Sequence, residues 1–170
     1  HLYDLPTTGL RFFTVYGPWG RPDMAPMIFA KSILNNEPIR VFNQGKMQRD
    51  FTYIDDVVEG IISCCYKKAS IDRNFNSLTP NPSTSSAPYR IFNIGNSSPV
   101  KLTYFIKLLE KNLGKRAIKD FQPLQPGDVV STAAKMDLLN NWVGYVPSTS
   151  IEIGTRLFSE WYLDYFKSSS

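Results

Sequence analysis

Histidine is almost missing from this sequence, with His1 the single example in 170 residues, and cysteine is scarce, with only Cys64 and Cys65. Adjacent side chains inside a helix point about 100° apart, so these two thiols are not expected to pair with each other. With one histidine and no other clustered thiol there is no metal site, and packing is the expected role of both cysteines. No apolar run approaches the length of a membrane span and no signal-peptide pattern opens the chain, so the expected compartment is the cytosol and no membrane partner is expected. Charge of one sign is lacking too: 19 basic residues against 15 acidic ones leave a formal net charge of +4. The densest basic cluster is Lys115-Arg116, with Lys111 and Lys119 nearby. Without a basic stripe interleaved with exposed aromatics, these charges read as solvated helix faces rather than a nucleic-acid surface, although small anionic ligands suit the sign.

What is present is ordinary for a globular domain, at 42% apolar and 20% charged residues, with a high aromatic share of 14%. A chain of this length buries roughly two-thirds of its unfolded surface as one domain. The stretch LRFFTVYGPWGRPDM, residues 10–24, organises the rest. Leu10 to Tyr16 is too apolar for a surface hairpin, and Gly17-Pro18-Trp19-Gly20 stops it with turn formers, so it reads as a buried strand ending in a loop. In an open α/β sheet ligands sit beyond the carboxyl ends of the strands. Thr14 and Arg21 are the first polar groups there, and a hydroxyl beside a guanidinium suits a carboxylate or phosphate. The plainer account, a core strand followed by a tight surface loop, fits the spacing equally well.

Downstream, Met27, Ile28, Ala30, Ile33 and Leu34 recur at helical spacing, and Asn35-Asn36-Glu37-Pro38 ends that helix. Ile39, Val41 and Phe42 form a short strand, and residues 48–53 a second extended piece. Asp55 or Asp56 is suited to cap a helix to about residue 68, with Val57, Val58, Ile61, Ile62 and Cys65 on its apolar face. Capping is the preferred account of these acids over paired catalytic carboxylates. Residues 70–88, rich in Asn, Ser, Thr and Pro with little to bury, read as a mobile surface insertion. A strand over 90–94, a helix over 102–113 closed by Gly114, a strand over 118–121, and helices over 134–141 and 151–166 complete the chain. Alternating strands and helices give an α/β class. Met24, Met27 and Met47 are expected to pack.

The ordered blocks RFFTVYGPWGRPDM, RDFTYIDDVVEG, YRIFNIGNSSPVKL, LQPGDV and SEWYLDYF resemble the carboxy-terminal portion of the extended short-chain dehydrogenase/reductase superfamily, and within it the UDP-glucuronate 4-epimerases. The resemblance runs from about residue 5 to residue 166 and is interrupted by residues 70–88. It implies the last strands of a Rossmann-type fold, with residual cofactor-domain elements near 8–20, 55–68 and 89–95, plus a small α/β substrate domain. That family holds NAD with a Gly-rich turn and transfers the proton with a Tyr-x-x-x-Lys pair. Neither motif occurs here: Tyr104 is followed four positions on by Leu108, and Tyr162 by Phe166. The resemblance therefore implies a fragment without catalytic residues of its own, inactive alone.

By the same resemblance Thr14 and Arg21 would hold a sugar carboxylate, and Phe13 and Val15 would border the nicotinamide of NAD. Val41 and Phe42 would meet uracil, Arg49 the diphosphate and Asp128 the ribose hydroxyls. Gln125 stands where UDP-galactose 4-epimerases often carry an arginine, which puts their second phosphate contact in doubt. From the residues alone, Arg49 is accounted for by an ion pair with Asp50 or another nearby acid, and Asp128 by its own turn. The implied ligand is a UDP-sugar, and homo-oligomerisation stays open. So do three other readings: a related nucleotide-sugar dehydratase or decarboxylase, a non-catalytic nucleotide-sugar binding module, and a truncated product without function.

Overall fold

The structure is a computed structural model, and it describes residues 1–167. The chain runs β1 (Thr7–Phe12), β2 (Thr14–Tyr16), α1 (Ala25–Asn35), β3 (Pro38–Val41), β4 (Gln48–Arg49), β5 (Phe51–Tyr53), α2 (Ile54–Tyr66), β6 (Tyr89–Ile94), β7 (Val100–Lys101), α3 (Leu102–Leu113), β8 (Ile118–Phe121), α4 (Asp137–Val143) and α5 (Ile151–Lys167). Three strand pairs are parallel, β1 with β6, β2 with β5 and β3 with β8, while β4 and β7 pair antiparallel. Each parallel return is spanned by at least one helix, as parallel pairing requires. The α/β class expected from the sequence is the one found.

The expected single strand from Leu10 to Tyr16 is two strands. Phe13 N still donates to Ile94 O, 3.0 Å away, but β6 ends there and the chain takes β5 as its next partner, with Thr14 opposite Phe51. Nor is the stretch buried throughout, since Tyr16 is 2% exposed and Phe12 51%.

Two apolar clusters hold the elements. In the larger, Phe51 of β5 stacks on Phe105 of α3 with centroids 4.3 Å apart and planes at 11°, and Tyr16 meets both rings edge-on at 6.0 and 5.9 Å. Ile33 of α1, Ile39 and Val41 of β3, and Phe158 of α5 complete it. The smaller cluster gathers Val57 and Cys64 of α2, Phe92 and Ile94 of β6, and Leu139 of α4. Both helix ends read from sequence are seen: Asn36 and Gly114 take left-handed conformations after α1 and α3.

The expectation for α2 needs correction. Neither Asp55 nor Asp56 caps it, because its first turn follows Tyr53 directly and makes no side-chain cap bond. Asp56 is instead buried and accepts hydrogen bonds from Ser148 N at 3.3 Å and Thr149 N at 3.0 Å, tying α2 to the chain before α5. The buried face is Val57, Gly60 and Cys64, whereas Val58, Ile62 and Cys65 are exposed. Helix α4 begins at Asp137 rather than near 134 because Ala134 is held in the preceding connection through both its N–H and its carbonyl. Residues 70–88 form no helix or named strand, yet Ser83, Ser85 and Ala87 are buried there, and Ile91 N reaches Ser83 O at 3.0 Å. Among the described residues no helix is long and apolar enough to cross a membrane.

Tyr16 ends against α5. Its hydroxyl is buried without a hydrogen-bond partner, burial pushes the phenol far above its ordinary range, and a Cβ on Gly154 would collide with it. Tyr16→Phe is therefore expected to leave stability unchanged or raise it by up to about 1 kcal/mol in urea unfolding. Gly154→Ala is expected to lower it by about 1–3 kcal/mol despite alanine's better helix propensity.

Candidate functional site

A cavity of about 580 Å³ opens where β2, α1, β3 and β5 meet the loop that follows β8. Phe51 lies in its lining with its ring on Phe105, so the aromatic core ends at the cavity wall. On β2, Thr14 and Tyr16 share a face, so the strand passes from the cavity at Thr14 into the core at Tyr16. Met24, Ala25, Ile28 and Phe29 contribute the α1 side, and Pro38, Ile39, Arg40 and Phe42 the β3 side. Met24 and Met47, expected only to pack, are also in the lining.

Four residues singled out from the sequence come together in this lining: Thr14, Phe42, Arg49 and Asp128. Arg49 is half-buried and held from one side. Its guanidinium donates to Asp128 Oδ1 at 2.8 Å and to the carbonyls of Gln48 at 2.9 Å and Val129 at 2.6 Å. Asp128 also accepts from Val129 N at 2.8 Å, and Asp128 N donates to Gln125 O at 3.1 Å, so both the turn and the ion pair foreseen for these residues are present. The acid that meets Arg49 is Asp128, not Asp50.

The other candidates lie elsewhere. Arg21 is exposed on the loop after β2 and pairs bidentately with Asp23, which itself lines the cavity. The hydrogen bond from Arg21 holds the Asp23 carboxyl below the usual carboxylate range and raises the guanidinium. Val41 is fully buried in the larger cluster, with its carbonyl taken by Gln122 N at 3.0 Å. Gln125 is exposed outside the cavity, and Phe13 and Val15 pack against the smaller cluster.

Three charged residues were not foreseen. Asp23 and Arg40 line the cavity, and Asp50 is completely buried beside it. For Arg40 a signal existed: along β3, exposed Pro38 and Arg40 alternate with buried Ile39 and Val41, which marks Arg40 as the polar side of a strand. Among the described residues no group of three His, Cys, Asp or Glu side chains could hold a metal ion.

Fold and lining together define an α/β domain with an anion-compatible cleft at the end of a parallel strand pair, and comparison with known proteins is specific about its kind. The profile described as "NAD dependent epimerase/dehydratase family" matches residues 1–95, more than half of the chain, and the chain belongs to that family. It is 52% identical over 167 residues to Protein CapI of Staphylococcus aureus, covering 98% of this chain and 50% of that protein. It is 46% identical over 166 residues to the probable UDP-glucuronate 4-epimerase of Rhizobium meliloti, covering 95% of this chain and 48% of that one. Among solved structures, UDP-glucuronic acid 4-epimerase from Bacillus cereus in complex with UDP-glucuronic acid and NAD superposes with a TM-score of 0.75 at 31% identity, over 94% of this chain and 46% of that chain. The chain spans about half the length of the relatives it matches.

Because the Arg49–Asp128 pair is only partly exposed, with side chains at 21% and 30%, its loss is measurable. Asp128→Ala is expected to cost about 1 kcal/mol in urea unfolding and much less in an Arg49→Ala background, whereas equal costs in both backgrounds would show that the pair is not coupled.

Proposed function

We propose that this chain forms the nucleotide-sugar-binding part, and by the resemblance the carboxy-terminal part, of a cytosolic NAD-dependent UDP-glucuronate 4-epimerase. The observation that carries the reading is the convergence of Thr14, Phe42, Arg49 and Asp128 on one cavity from four separated positions in the chain. Phe42 and the apolar lining offer a ledge for a base, Arg49 a fixed cation for a diphosphate, and Asp128 an acceptor for ribose hydroxyls. Thr14 supplies a hydroxyl at the sugar end. Arg21, paired to the lining residue Asp23, would complete a carboxylate clamp by exchanging its acid partner for the uronate.

Bound NAD would supply the hydride acceptor and donor for reversible oxidation at the sugar C4. Phe13 and Val15, half-buried and apolar, fit the border of its nicotinamide. The sequence contains no Gly-rich turn for its phosphates and no Tyr-x-x-x-Lys pair, so this reading gives the 170 residues no turnover by themselves.

Calorimetric titration with UDP, UDP-glucuronate and UDP-glucose tests the reading. Binding of UDP that is lost in Arg49→Ala supports it, and a folded chain that binds none of the three refutes a preformed site. Arg21→Ala is expected to erase any preference for the uronate over UDP-glucose, and Asp23→Asn, which frees the guanidinium, to increase it. Equal changes for both sugars would remove Arg21 from the carboxylate assignment.

A further inference from the structure

Arg49 and Asp50 are neighbours in sequence, but the extended chain sends their side chains to opposite sides. Arg49 faces the cavity and binds the loop after β8 at Asp128, Val129 and Val130. Asp50, with no exposure at all, turns inward and binds the same connection further along, accepting from Ala134 N at 2.7 Å. Between these two grips, Gln48 N donates to Val130 O at 2.9 Å and Thr132 N to Gln48 O at 3.3 Å. Residues 48–50 thus hold residues 128–134 along their whole length.

The Asp50 carboxylate reaches a third segment, the turn after β6. It accepts from Asn96 N at 3.0 Å and Ser97 N at 3.1 Å, with Ser98 N at 3.4 Å. The Ser97 hydroxyl in turn donates to Ala134 O at 2.8 Å, so the turn and the connection are also bonded to each other around the carboxylate. A Cβ on Gly95 would collide with Ala134 and stand 2.9 Å from Asp50 Oδ2, so this junction needs glycine there. A buried carboxylate surrounded by backbone N–H donors is satisfied only while all those segments stay in place.

We propose that Asp50 is a positioning residue for ligand binding, holding the 128–134 connection so that Asp128 and the Val129 carbonyl keep Arg49 aimed at the cavity. Asp50 touches no ligand in this scheme; it acts through Asp128 and Arg49. The proposal rests on the cavity being the nucleotide-sugar site.

The test is Asp50→Asn, whose amide presents N–H where an acceptor is needed, followed by hydrogen exchange and by UDP titration of the 170-residue chain. Expected are faster exchange in peptides covering 95–98 and 128–134 with the α3 and α5 peptides unchanged, and UDP affinity weakened about tenfold. The affinity losses of Asp50→Asn and Arg49→Ala should not add, because one acts through the other, whereas a general loss of stability would make them additive. Unchanged protection of 128–134 in Asp50→Asn, or additive losses, overturns the proposal. If the wild-type chain binds no UDP, the functional reading fails, and the exchange pattern still decides whether Asp50 holds the connection. Should Asp50→Asn not fold, Asp50→Glu, which keeps the charge but moves the oxygens away from the N–H groups of Asn96, Ser97 and Ala134, must show the same local loosening of 128–134 for the proposal to stand.

Discussion

The polar groups around the cavity depend on an apolar contact, the stack of Phe51 on Phe105 with Tyr16 edge-on to both. Tyr16 fixes the end of β2 and with it Thr14, two residues back on the same face. Phe51 fixes the residues just before it, Arg49 and Asp50. Rings this well buried in offset and edge-on contact combine a large transfer free energy with a defined orientation, so they set direction as well as stability. Charged side chains on flexible stems could not aim themselves at a cavity without such a base.

Electrostatically the site is balanced rather than basic. Asp128 answers Arg49 and Asp23 answers Arg21, and the lining carries two acids, Asp23 and Asp128, against two bases, Arg40 and Arg49. At Arg49 and Arg21 an anionic ligand therefore meets cations that already have partners, and there its binding free energy is a difference between two sets of ion pairs, whereas Arg40 in the lining carries no ion pair among the described residues. That arrangement favours discrimination over raw attraction: a ligand must replace a carboxylate with something that matches it in charge and geometry.

Much of the scaffold was legible in the sequence. Helix α3 with Gly114, the end of α1 at Asn36, β8 and α5 follow from periodicity and local stop signals, which are properties of neighbouring residues. The gathering of Thr14, Phe42, Arg49 and Asp128 was available through the resemblance but not from spacing, because Asp128 lies 79 residues from Arg49. What escaped was set by tertiary partners. The break at Phe13 comes from where β6 stops, and the role of Asp56 comes from Ser148 and Thr149, although its place at a helix start suggested a cap. Asp50 carried no signal because a buried carboxylate satisfied by distant backbone amides looks in sequence like any surface acid.

The long reach of these bonds also has a meaning in time. Joining Arg49 to Asp128 and Asp50 to Ala134 closes loops across 79 and 84 positions of the chain, whereas α2 and α3 form from local contacts. Closures of that span are entropically costly until much of the core is in place, so they belong to the late part of folding. On a chain emerging amino-terminus first, the floor of the cavity is synthesised some eighty residues before its wall. The bonds that join the cavity's two sides thus close late, and a chain interrupted before Ala134 would have the aromatic floor without the clasp across it.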